Sequence, residues 1–245
     1  MRLHVSAFWK PVYTNSPIST GSLGVGIVLS PGPSCREGRT WPPVEPALKL
    51  GGGLECRLPV PVGKGFATSA SVALCTALKK YSFWEAVARA HVAEVISKTG
   101  LGDVMAIAFG RGLAVRIKPG GPGWGKVISL KVPPVGLIAA TVESPFKDTP
   151  SMLQRLDVEN EFDKAWKVFM EEKSFSSFLK AAMMFSREVG FMNDKVEEIL
   201  KLEGVLGGYV KKSALIVFTK PEYESKVRNE VKKRGFETFK LRVFQ

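Results

Sequence analysis

Apolar and polar positions along the chain fall into short blocks, and their period changes from strand-like to helical and back. Runs at 3–8 and 23–29 read as strands separated by a polar loop, and the proline-rich stretch 31–46 reads as a loop or edge excursion. Blocks 47–50 and 54–60 read as a hairpin around Gly51, Gly52 and Gly53. An apolar helical run at 72–78 follows, then a second helix at about 83–97. The blocks 104–109 and 113–118 read as a hairpin across Gly110-Arg111-Gly112, and 126–132 and 135–142 as further strands. Beyond Pro150 the period becomes helical at roughly 151–172, 174–189 and 193–202. A strand at 214–219, a helix at 221–233 and a last strand at 237–244 close the chain. Strands and helices mix without strict alternation, so the pattern predicts an α+β protein in two lobes and not a doubly wound parallel sheet.

Composition narrows the class. A chain of 245 residues is long enough for one large domain or two small ones. No apolar run approaches the roughly 18–20 residues needed to span a bilayer, and residues 1–10 lack the apolar core of a secretion signal. These features set a cytoplasmic expectation with no membrane partner. Three cysteines, Cys35, Cys56 and Cys75, are widely spaced with no Cys-x-x-Cys pair, which predicts reduced thiols and neither a disulfide framework nor a structural zinc site. The net charge of +12 raises nucleic acid as a partner. Lysine and arginine are nevertheless spread along the chain, and no run interleaves them with aromatics. The charge therefore reads as a solvated basic surface that favours anionic substrates.

Three segments carry candidate chemistry. Residues 61–71, Pro-Val-Gly-Lys-Gly-Phe-Ala-Thr-Ser-Ala-Ser, join a strand-like run to a helix. Glycines and hydroxyls there let backbone N–H groups converge on an anion at a helix N-terminus; an ordinary helix cap is the plainer reading. His91 and Glu94 lie three apart beside an apolar stripe, where a carboxylate is either solvated at the edge or recruited to a metal or hydrogen-bond network. Asp103 is flanked by Gly100 and Gly102 and taken alone is a turn aspartate. If the second helix ends near Ser97, the chain can turn back through these glycines and bring Glu94 and Asp103 together.

In this order, the Pro-x-Gly-x-Gly-x-x-Thr-Ser-Ala loop, Ala90-His91-x-Ala-Glu94 and Thr99-Gly-Leu-Gly-Asp103-Val resemble the GHMP kinases, and more closely the archaeal pantoate kinase family. His4-Val-Ser-Ala-Phe8 and the Gly21-to-Gly26 segment resemble that family's opening. The resemblance covers residues 1–30 and 55–120. It implies a mixed N-terminal sheet with helices (residues 1–134) and a ferredoxin-like α+β C-terminal lobe (135–245). The loop Gly63, Lys64, Gly65, Phe66, Ala67, Thr68, Ser69 and Ala70 would wrap the triphosphate of ATP. Ser69 and Glu94 would hold Mg²⁺, and Asp103 would be the catalytic base or orienting acceptor. Arg116 would bind the pantoate carboxylate, with His4 and Ser22 as further substrate contacts. A segment at Gly204 to Gly208, followed by Lys211-Lys212, would line the nucleotide side. The resemblance further implies phosphorylation of the primary hydroxyl of (R)-pantoate for coenzyme A synthesis, and a homodimer. Another small-alcohol kinase of the superfamily, a ligand-binding kinase without turnover and a basic RNA-binding module of related fold are the alternative readings.

Overall fold

A computed structural model describes residues 1–143 and 157–245. Its frame begins with two ten-residue strands, β1 (Leu3–Val12) and β2 (Gly21–Ser30), whose side chains are buried on both faces over most of their length. Strands covered on both sides read as near-continuous apolar runs rather than alternating ones, as these do. With β5 (Leu113–Lys118) and β6 (Lys126–Leu130) they form a sheet of order β1-β2-β5-β6. Every ladder between its strands is antiparallel, where a mixed sheet was expected.

On this sheet packs α4 (Asp103–Phe109), and against α4 lie α2 (Thr68–Leu78) and α3 (Phe83–Ile96). They meet through Ala70, Ala73, Ala77, Ala86 and Ala90, small side chains that let helix backbones approach closely. The run 104–109 therefore belongs to a helix and not to the predicted hairpin strand. A short apolar block buried on all sides has no period to separate the two possibilities. A second correction concerns residues 45–57. The block at 47–50 lies in a short helix, α1 (Glu45–Lys49), and the hairpin pairs β3 (Ser34–Glu37) with β4 (Leu54–Arg57). That register sets Cys35 opposite Cys56, with Cα atoms 4.0 Å apart, and the two form a disulfide across 21 residues of sequence. The expectation of three reduced thiols fails for this pair, because spacing along the chain says nothing of a hairpin that closes it. Cys75 is a free thiol.

The C-terminal half runs β7 (Gly136–Thr141), α5 (Glu159–Glu172), α6 (Phe175–Glu188), α7 (Asp194–Leu200), β8 (Val205–Lys211), β9 (Ala214–Thr219), α8 (Glu224–Lys233) and β10 (Glu237–Phe239). Its sheet order is β10-β7-β9-β8, antiparallel throughout. Numbered within the lobe this is 4-1-3-2, the order of the ferredoxin-like arrangement that was expected. The predicted helix at 151–172 has its described part at Glu159–Glu172, and positions 151–156 lie outside the described residues. The predicted final strand is two pieces: β10 stays in this lobe, while β11 (Arg242–Val243) returns to pair with the end of β2.

One apolar core runs through both halves. Phe8 of β1 is the clearest link, since its ring lies 5.8–6.5 Å from those of Phe162, Phe169, Phe178 and Phe185 on the C-terminal helices. Tyr209 of β8 adds a buried hydroxyl donated to the Val5 carbonyl at 2.8 Å. Phe8 is fully buried, and truncating a buried phenylalanine removes both transfer free energy and cavity contacts. Phe8→Ala is predicted to cost about 3–5 kcal/mol, read as a lowered urea midpoint at unchanged slope. A cost under about 1 kcal/mol would mean that the two halves do not depend on this contact.

Candidate active site

The phosphate-loop candidate is built by backbone conformations that few side chains permit. Gly65 has φ +99°, and a Cβ there would lie 2.4 Å from the Lys211 carbonyl oxygen, so this position demands glycine on both counts. Ala67, in the left-handed region at φ 54°, then turns the chain into α2. Phe66 anchors the loop: it is fully buried, packs edge-on against Phe239, and its carbonyl accepts from the His4 N–H. Ala70 also faces the core. Gly63, Gly65, Ala67, Thr68 and Ser69 line a cleft of about 280 Å³ together with Thr99, Asp103 and Lys211. Lys64 is exposed and borders a neighbouring cleft instead. The eight predicted loop residues thus separate into five at the cleft, two in the core and one outside.

Glu94 is only 2 % exposed, which overturns the solvated reading of it taken alone. Its Oε1 accepts from Ser69 Oγ at 2.5 Å and from Thr99 Oγ1 at 2.9 Å. Burial raises its pKa to about 7, Asp103 adds to the rise, and the two hydroxyl donors oppose it. His91, its neighbour on α3, faces elsewhere: its Nε2 meets the Thr20 carbonyl at 2.9 Å and it takes no part in the cleft.

Asp103 opens α4, at the turn the glycines make possible. Its Oδ1 accepts from His4 Nδ1 at 2.7 Å, and its Oδ2 lies 3.9 Å from Lys211 Nζ. Burial alone would raise its pKa, but Lys211, the His4 hydrogen bond and Arg116 together hold it well below the usual carboxylate range. Burial pushes His4 down to about 4, with Arg116 and Lys211 acting in the same direction against the pull of Asp103. A neutral His4 that donates from Nδ1 has Nε2 left to accept, and Arg116 Nη1 is 3.4 Å from it. Arg116 Nη2 donates to Ser6 at 3.2 Å, while its buried Nε has no hydrogen-bond partner. Ser22 is buried alongside: a Cβ on Gly102 would meet its Oγ at 2.4 Å and Arg116 Nε at 2.8 Å.

Among the residues singled out from the sequence, Ser69, Glu94, Asp103, His4, Arg116 and Ser22 therefore converge. Lys211 was named only as following the glycine segment at 204–208 and was given no role of its own, yet it lines the cleft and is only 8 % exposed. The glycines at 204–208 do not line the cleft; side chains added at Gly204 or Gly207 would meet Tyr223 or Met183 and Leu179. Among the described residues no three His, Cys, Asp or Glu side chains gather to hold a metal. Ser69 and Glu94 instead offer the hydroxyl and single carboxylate that suit Mg²⁺ when phosphates supply other ligands.

No protein-family model matches the chain. It is 30% identical to the pantoate kinase of Thermococcus kodakarensis over 239 aligned positions, 81% of this chain and 77% of that protein. A solved structure described as a phosphotransferase related to the coenzyme A biosynthesis pathway superposes with a TM-score of 0.78 at 25% identity, covering 99% of this chain and 95% of the other. The Methanococcus jannaschii mevalonate kinase superposes with a TM-score of 0.64 at 12% identity, covering 100% and 97%, and shares the fold.

The raised Glu94 pKa has a consequence for stability. A glutamate at 4.5 in the unfolded chain and about 7 in the metal-free native state stabilises the fold fully below about 4.5. That contribution disappears as pH rises through about 7, a loss on the order of 3 kcal/mol. Glu94→Gln removes the titration, so between pH 5 and 8 its melting temperature is expected to fall less than the parent's. Parallel pH profiles for the two proteins would show that Glu94 is not a buried acid.

Proposed function

The chain belongs to the pantoate kinase family, and from that premise we propose that it transfers the γ-phosphoryl group of ATP to the primary hydroxyl of (R)-pantoate, a step toward coenzyme A. The observation that carries this reading is the convergence around Asp103 of a phosphate-type loop that shares its cleft, a Ser69–Glu94 pair and the buried Arg116 behind it. Phosphoryl transfer asks a protein mainly for positioning and charge neutralisation, and each group here suits one part of that task.

The loop from Gly63 to Ser69 would hold the triphosphate, with its exposed Lys64 at the rim. Ser69 and Glu94 would hold Mg²⁺, which when bound supplies charge neutralisation to the β- and γ-phosphates. Arg116 presents a planar fork, one of whose nitrogens is buried without a partner, and such a fork matches a carboxylate better than an ammonium does. Ser22 and His4 would complete the pantoate side. Asp103 accepts the hydrogen bond of the primary hydroxyl. As the hydroxyl oxygen bonds to the γ-phosphorus and the bond to the ADP oxygen breaks, the hydroxyl proton passes to Asp103. His4, neutral and donating from Nδ1, fixes which carboxylate oxygen is free for this. We read residues 1–134 and 135–245 as the two lobes of the enzyme, and a homodimer as its assembly, with a mass of twice 26.8 kDa.

The test is coupled ADP release with ATP, Mg²⁺ and a panel of pantoate, mevalonate, homoserine and pantothenate. Turnover with pantoate alone is expected; turnover with another alcohol would discard the substrate. Asp103→Asn is expected to lower kcat by about 10²–10⁴-fold. Arg116→Ala should raise the KM for pantoate by roughly 10–100-fold through the loss of a charge-assisted pair, with the KM for ATP little changed. Unchanged pantoate KM in that variant would move the carboxylate away from Arg116.

A further inference from the structure

Arg116, His4 and Ser22 explain one side of Asp103. The other side is occupied by a cation from the opposite lobe. Lys211 is the last residue of β8, where the strand turns at Lys212 (φ 62°) into β9. Its ammonium lies 3.9 Å from Asp103 Oδ2 and 5.9 Å from the centre of the Trp9 ring, both longer than a hydrogen bond. The side chain lines the same cleft as Thr68, Ser69 and Thr99. Its backbone is fixed there by the phosphate loop itself, since only a glycine at position 65 leaves room for the Lys211 carbonyl.

A lysine this buried is desolvated, and Asp103 at 3.9 Å together with the field of Glu94 compensates that only in part. The arrangement makes sense when a second anion arrives. Transfer requires the γ-phosphoryl group, itself negative, to approach a hydroxyl held by an ionised Asp103. Two anions brought together in a water-poor cleft repel, and a cation placed beside both removes the penalty. The two cations divide by position: Arg116 is bound into the N-terminal sheet by His4 and Ser6, whereas Lys211 stands against the phosphate loop. A compact ammonium with three rotatable donors follows phosphoryl oxygens as they move.

We propose that Lys211 is a catalytic residue of this cleft: its ammonium engages the phosphoryl group in flight and offsets its repulsion from Asp103. The inference rests on the kinase reading above. It also makes the reaction centre a product of both lobes, because β8 supplies a group that the N-terminal sheet lacks.

The experiment compares Lys211→Met, close in length and uncharged, with Lys211→Arg, using wild-type turnover of pantoate as its reference. Lys211→Met is expected to lower kcat by about 10²–10³-fold with the KM values for ATP and pantoate within about threefold. Lys211→Arg should recover at least about tenfold of the loss, which a purely structural role would not produce. Should Lys211→Met melt below the assay temperature, Lys211→Gln carries the same comparison. A kcat within about threefold of wild type, or a loss confined to the pantoate KM, would overturn the role. A wild-type protein that ignores pantoate but phosphorylates another alcohol would sink the substrate reading alone, and the Lys211 comparison is then made with that alcohol.

Discussion

Keeping Asp103 ionised in a site that is almost closed to water is the constraint on which the rest of the structure turns. A lone buried carboxylate takes up a proton instead of bearing the desolvation cost. Here the anion is held by His4 from β1, by the field of Arg116 from β5 and by Lys211 from β8. Glu94, only nine positions earlier in the chain, shows the alternative. It has hydroxyl donors, and these with the field of Lys211 do not outweigh its burial, so its pKa climbs to about 7. Two neighbouring carboxylates are thus separated in character by their partners, one held ionised and the other with its pKa raised.

The fold supplies those partners by bringing distant segments close and by leaving out side chains. β1 and β5 flank β2, so His4 and Arg116 reach the same place across the strand between them. Gly26 of β2 sits beneath them, and a Cβ there would lie 2.4 Å from His4 Nε2. At Gly100 an added Cβ would lie 2.4 Å from Glu94 Oε2 and 3.3 Å from Asp103 Oδ2, standing between the two acids. The third partner depends on the docking of the lobes, which Phe8 and Tyr209 hold together through the shared core.

Much of this was legible in the sequence where local chemistry and chain order agree. The loop at 63–70, Glu94 and Asp103 are each ordinary alone, and it was their order that resembled the phosphate site of a kinase family. Asp103 is placed by a helix rather than by a strand, because the block 104–109 is apolar on every side and carries no period. Lys211 could not be separated from the surrounding surface lysines, since its burial arises from contacts with Trp9 and the phosphate loop, about 200 and 146 positions away. The Cys35–Cys56 disulfide was hidden for a similar reason: the hairpin that aligns the two cysteines spans the proline-rich stretch that had no pattern of its own. The net charge of +12 read as a solvated basic surface favouring anionic substrates, yet Arg116, Lys211 and Lys212 are buried.

The position that receives the phosphoryl group decides between these readings of the cleft. The direct measurement is proton-coupled ³¹P NMR of the product formed from ATP and (R)-pantoate. Attachment at the primary hydroxyl next to Asp103 predicts a phosphomonoester triplet, split by the two protons of a methylene group. A doublet would place the group on the secondary hydroxyl and reverse the orientation of pantoate between Asp103 and Arg116. Inorganic phosphate alone would contradict transfer to an alcohol altogether.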